Sequence, residues 1–213
     1  MKGLIIKDLY SLKKFTKSVL ITAGLMLLYG VFLKNTSFVS FMICFFAMSI
    51  ILTVLGDDEV SHWDKYALCM PIDRQLMVRE KYLMIILILI CTGLVSCLVG
   101  GGMSAVMKLD IVSSLQMSYL AFGMVSLIAA IVTPVYYKVG IQKARYIMIG
   151  CALVPTVLIL VIVNMMEKSG IAIQEDQLPS LIMNFNIALP LILIVLMYIS
   201  YHISFAIYKK KEW

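Results

Sequence analysis

Six long apolar runs, at 18–35, 38–55, 83–107, 115–137, 146–166 and 182–207, fill most of this chain, and none has an acid, a lysine or an arginine in its core. Each is near or above the roughly 20 residues that carry a helix across a bilayer. The runs predict an all-α membrane protein with six transmembrane helices, packed as one bundle over residues 1–213. A mean hydropathy of +0.99 with 14% charged residues leaves no room for a second, soluble domain.

The net charge of +6 would suggest nucleic acid in a soluble chain, but here the basic residues flank the apolar runs. They are therefore read as membrane orientation, with no nucleic-acid partner. Fifteen of the eighteen lysines and arginines fall in the N-terminal arm, the second and fourth loops and the tail, which leaves Lys34, Lys108 and Lys168 for the opposite side. The count predicts a multi-pass protein with both termini cytoplasmic. Tyr82, Tyr136, Tyr137, Tyr146, Tyr208 and Trp213 fall at the same predicted ends, where amphipathic rings favour the headgroup layer.

No small-residue cleavage site follows the first run, so it is expected to stay as a helix. Cys44, Cys69, Cys91, Cys97 and Cys151 offer no even set in an exterior loop, and a disulfide framework is not supported. His62 and His202 are far apart and have no clustered cysteines or carboxylates, so no metal site is expected. His202 lies inside the last run, where hydrogen bonding within the bundle is the simpler reading and proton carriage the sharper one.

The arm has helical periodicity: Leu4, Ile5, Leu9, Leu12, Phe15 and Val19 share one face, with Lys7, Tyr10, Lys13, Lys14 and Lys17 opposite. This predicts an interfacial helix over 1–17. Asp8 interrupts the apolar face, either to contact another helix or subunit or to pair locally with a lysine.

The third run carries two adjacent rows of small residues at four-residue spacing: Thr92, Ser96, Gly100, Ser104 and Gly93, Cys97, Gly101, Ala105. Small residues let helix backbones approach closely in lipid, so a helix-packing role is assigned, above all to the second row. Gly100-Gly101-Gly102 also admits a flexible point. Pro134, Pro155 and Pro190 fall inside runs four to six, where each removes a backbone donor and bends its helix.

Between the second and third runs stands a charged segment, Gly56–Lys81. It opens with Asp57-Asp58-Glu59, and Ser61 with Asp64 resembles a capping box ahead of a short helix through Trp63, Tyr66 and Leu68. Pro71 ends that helix, and Asp73 is placed to cap a second one bearing Arg74, Arg79 and Lys81. Two short helices hinged at a proline suit a docking surface for a cytosolic partner, or an anchor of Trp63 and Tyr66 at the lipid surface.

The opening Met1-Lys2-Gly3-Leu4-Ile5-Ile6-Lys7-Asp8-Leu9-Tyr10 resembles the small six-span permeases of the ABC-2 type, as do Asp58-Glu59, Trp63, Tyr66, Met70-Pro71-Ile72-Asp73-Arg74 and Arg79-Glu80-Lys81-Tyr82. Among these the chain is similar to the phenol-soluble modulin exporter permeases of Gram-positive bacteria; it has Met70 where that pattern usually has leucine before the proline. The resemblance implies a permease subunit in a bacterial cell membrane, paired with a second permease chain, identical or not, and with two ATP-binding cassette ATPases. The arm would be a connecting helix, and 56–81 a cytoplasmic coupling segment whose Glu59, Trp63, Tyr66, Pro71, Asp73, Arg74 and Arg79 dock the ATPase. The implied cargo is amphipathic peptide drawn from the cytoplasm or the membrane lipid. No cofactor would bind this chain, since ATP and magnesium belong to the partner.

Part of this follows from the residues alone. Ion-coupled carriers need an ionisable or broken-helix site near the midplane, and no acidic candidate is present. No Walker A motif occurs either, so the chain is not expected to be an ATPase, and if it transports actively the energy has to arrive from another polypeptide. A passive channel or a peptide-protection protein is the alternative reading. An integral-membrane enzyme fits less well, because HExxH and GxSxG are both missing.

Overall fold

The computed structural model describes residues 2–33, 36–68, 73–108, 110–151, 153 and 178–210. They form seven helices: α1 (Lys2–Leu33), α2 (Thr36–Val60), α3 (Trp63–Leu68), α4 (Arg74–Met107), α5 (Ile111–Val139), α6 (141–151) and α7 (Leu178–Lys210). Four of them are long and apolar enough to cross a membrane: α2 from Phe38, α4, α5, and α7 from Ala188. These account for the second, third, fourth and sixth apolar runs. The first run lies in α1 as far as Leu33, and most of the fifth lies outside the described residues.

The arm and the first run are one helix. α1 continues from Lys2 to Leu33 with no break near residue 17, a length of about 48 Å at the α-helical rise. α4 has 34 residues, about 51 Å. That exceeds the roughly 30 Å of hydrocarbon, so its charged first two turns, ending at Lys81, precede the apolar stretch that opens at Leu83.

α2 lies at the centre and packs against α1, α4 and α5, while α7 closes the bundle against α5 and α4. Cys44, Met48, Ile51 and Leu55 bury one stripe of α2 at helical spacing. It meets Val78, Tyr82, Ile85 and Leu89 of α4 and Val125, Ala129, Val132 and Tyr136 of α5 in a single apolar core. Leu94 and Leu98 on α4, with Leu191 and Ile194 on α7, point outward, as suits a bundle surrounded by lipid rather than water.

Close approach at the Met107 end of α4 is made by one of the two small-residue rows. Ser96, Gly100 and Ser104 are buried, whereas Gly93, Cys97 and Gly101 lie at the flank and Ala105 is exposed. A Cβ on Gly100 would stand 2.6 Å from Ser40 Oγ, 3.0 Å from Ser118 Oγ and 3.2 Å from Ser114 Oγ. Those hydroxyls bond one another and the backbone: Ser118 donates to Ser40 Oγ (2.8 Å), Ser114 to the Gly100 carbonyl (3.0 Å) and Ser96 to the Ser40 carbonyl (3.2 Å). Gly93 instead makes room for the Phe122 ring and Gly101 lies against Leu115, both of α5. Gly100-Gly101-Gly102 is helical throughout.

The charged segment is organised differently from the sequence expectation. α2 runs on to Val60 and takes Asp57-Asp58-Glu59 into its last turns. Ser61 does not open a capping box: its hydroxyl and its N–H both bond the Asp57 carbonyl, closing α2. His62 then turns the chain with φ 49°. Asp73 does hold the N-cap position of α4, but it makes no side-chain cap; its carbonyl receives the Leu76 and Met77 N–H groups. Pro134 and Pro190 lie within α5 and α7, and Pro71 and Pro155 fall outside the described residues.

Candidate coupling site

The bundle end that carries both the start of α1 and the end of α7 also carries a buried knot of five charges. Lys7 and Asp8 come from α1, Asp58 from the last turn of α2, and Glu80 and Lys81 from α4. Lys81 Nζ lies 2.5 Å from Asp8 Oδ2 and 2.5 Å from Asp58 Oδ2; Lys7 Nζ lies 2.6 Å from Asp58 Oδ1 and 3.1 Å from Asp8 Oδ1. Two ammonium groups and two carboxylates thus alternate around a closed square. Asp8 is 1% exposed and Lys81 8%, so each charge depends on its partners in place of water. Burial opposes the charge on Lys81, but Asp58, Glu80 and Asp8 outweigh it and hold the ammonium pKa above its usual value.

Glu80 stands just off this square. Its closest ammonium contact is Lys81 at 3.9 Å, and its Oε1 has no hydrogen-bond partner among the described residues. Burial first, with Asp8 adding to it and Lys81 opposing, pushes its carboxyl up to about 7. A cavity of about 10 Å³, close to the room of a single water, lies beside it against Asp58, Trp63, Met77, Tyr136, Tyr137 and Tyr208.

Further polar contacts bind the surrounding helices to the knot. Ser11 of α1 bonds Asp57, and Lys7 Nζ also lies 4.3 Å over the Trp63 ring, which joins α3 to α1 through a cation–π contact. Tyr136 donates to the Leu55 carbonyl at 3.0 Å. Glu59 Oε2 accepts the Ile141 N–H at 2.6 Å, so the end of α2 caps the start of α6, where Gly140 turns with φ +87°. Arg74 donates to the Lys209 carbonyl at 3.0 Å and ties the start of α4 to the end of α7.

The residues assigned to docking are thus divided between two tasks. Glu59 and Arg74 make contacts inside the bundle, and Trp63 is half-buried against Lys7 and the core. Tyr66, at 64% exposed, projects freely from α3, and Asp73 and Arg79 are exposed nearby. Asp8 makes both of the contacts open to it, with the neighbouring lysine and with another helix. Missed altogether were Asp58 and Glu80 as partners of the arm. The one sequence signal was the unexpected acid on the arm's apolar face.

Away from the knot, α4, α5 and α7 enclose an apolar groove of about 470 Å³ lined by Tyr82, Leu89, Phe122, Pro190, Met197 and Tyr201, among others. Tyr82 spans its inner end, hydrogen-bonded to Ser200 (2.6 Å) and Ser204 (2.7 Å). His202 is exposed on α7 and meets Tyr198 and Tyr201 edge-on rather than hydrogen-bonding inward. No group of three or more histidine, cysteine or acidic side chains among the described residues is placed to hold a metal ion.

Long apolar helices with a knot of charged groups at one end define a membrane-embedded helical bundle. The family model for ABC-2 family transporter protein matches residues 3–209, and the chain belongs to that family. It is accordingly the membrane permease component of an ABC-2 type transporter, a subunit without ATPase activity that works with ABC ATPase subunits. No curated protein shows significant similarity to it.

Proposed function

We propose that this permease exports amphipathic peptides from a bacterial cell, as one of two permease chains served by ATP-binding cassette ATPases. The end bearing the charge knot faces the cytoplasm on this reading, which the distribution of lysine and arginine supports. Two further spans, in the second half of α1 and in the segment beginning with α6, complete a six-span unit.

The observation that carries the reading is the mounting of α3. This short helix is fastened on one side, where Trp63 sits under Lys7, and leaves Tyr66 exposed on the other. A rigidly seated helix with a free aromatic suits a groove on an ATPase, and force applied to it passes through Lys7 to α1 and through Asp58 and Lys81 to α2 and α4. The α4–α5–α7 groove supports the cargo class, because a wall of aliphatic and aromatic side chains with Met197 accepts apolar peptide faces.

Reconstitution of the permease with its ATPase and a labelled amphipathic peptide tests this. Tyr66→Ala and Trp63→Ala are expected to insert normally but to lose peptide-stimulated ATP hydrolysis and export. Unchanged stimulation in both variants removes the docking assignment, and export without ATP makes the protein a channel.

A further inference from the structure

We propose that the knot is a proton-binding site, in which Glu80 carries a proton and so keeps α1 fastened to α2 and α4. The inference concerns this chain alone and does not rest on the peptide cargo. Three carboxyl groups meet two ammonium groups here, so one negative charge is left over inside the protein. Asp8 and Asp58 are each held by both lysines, and the surplus falls on Glu80. An ionised carboxylate that is 2% exposed, with one oxygen unpartnered, is costly, and a proton is the smallest cation that removes the cost. The negative charge of Asp8 also disfavours ionisation of Glu80.

Among the described residues the following groups face Glu80, and Trp63 of α3 brings no titratable group to the same cavity. α1 presents Lys7 and Asp8, α2 Asp58, α4 Lys81, α5 Tyr136 and Tyr137, and α7 Tyr208. The tyrosines add no charge near neutrality. Burial and Asp8 raise the Glu80 carboxyl to about 7, from an ordinary value of 4.5. Below about 4.5 Glu80 is protonated whether the protein is folded or not, and it causes no pH dependence there. Between about 4.5 and 7 only the unfolded chain releases the proton, so this group's contribution to stability falls as pH rises, and it is flat above. Loss of the proton places a second negative charge against Asp8 and weakens the hold on α1.

The test uses the full-length protein in lipid vesicles, followed by infrared spectroscopy of the carboxylic acid carbonyl and by thermal unfolding, between about pH 5 and 9. The wild type is expected to show an acid carbonyl band at pH 6 that disappears near pH 7–8, together with an unfolding temperature that falls as pH rises from about 5 to 7 and levels off above. Glu80→Gln should lack the band and lose that part of the pH dependence. A wild type with no acid band at pH 6, or a band that persists in Glu80→Gln, overturns the proposal. Should Glu80→Gln fail to insert, Asp8→Asn decides: the band midpoint is expected to move to lower pH, and an unmoved midpoint overturns the proposed link between the Glu80 proton and α1.

Discussion

Lys81, in the second turn of α4, places its ammonium 2.5 Å from Asp8 on the N-terminal helix, across 73 positions of sequence. The pair fixes the arm to the base of α4, and with Asp58 it makes α1, α2 and α4 one mechanical unit at this end.

Because Lys81 neutralises two buried carboxylates, its removal is expected to be among the most damaging single changes at this end. Lys81→Met should lower stability by about 3–5 kcal/mol, the usual cost of leaving buried charge uncompensated. Denaturant unfolding in detergent measures this, and Asp8→Asn added to Lys81→Met should recover part of the loss. A loss under about 1 kcal/mol would mean that the knot is hydrated and loose.

Glu59 makes a simpler case. Its carboxylate caps Ile141 N–H, so Glu59→Ala should cost about 1 kcal/mol and increase hydrogen exchange at the start of α6, with little change elsewhere. Exchange raised equally across the bundle would contradict so local a role.

Gly100 and Gly102 form a matched pair. Gly100→Ala drives a methyl into Ser40 and breaks its bond to Ser118, at about 1–3 kcal/mol. Gly102→Ala meets nothing within 4 Å and should leave stability unchanged or raise it by about 0.5–1 kcal/mol. Thermal unfolding of the two variants side by side checks the contrast, which would be lost if the serine cluster repacked.

Arg74 is exposed and bonds only a carbonyl at the end of α7, so Arg74→Ala should cost no more than about 1 kcal/mol while loosening the last turn of α7. Protease sensitivity of the C-terminal tail, raised against wild type, is the expected readout.

Apolar length and periodicity made the helices legible; small-residue spacing pointed to α4, where the buried row is Ser96, Gly100 and Ser104 rather than the assigned row of Gly93, Cys97, Gly101 and Ala105. The end of α2 was not legible, for a physical reason. Asp57-Asp58-Glu59 places three negative charges at a helix C-terminus, against the helix dipole, and such a run reads locally as the start of a loop. Partners distant in sequence reverse that preference: Ser11 takes Asp57, Lys7 and Lys81 take Asp58, and the Ile141 N–H takes Glu59. The charge knot escaped notice likewise. Lys7, Asp58 and Lys81 each look like ordinary interfacial charges until the fold assembles them, and only Asp8, an acid on an apolar face, pointed to it.

The long separation between Asp8 and Lys81 also sets an order of assembly during synthesis. α1 and α2 leave the ribosome with Asp8 and Asp58 sharing only Lys7, and their second cation arrives once the base of α4 has been translated. The first two helices therefore wait, under-neutralised, for α4. A nascent chain cut short before residue 81 is expected to hold α1 against α2 only weakly.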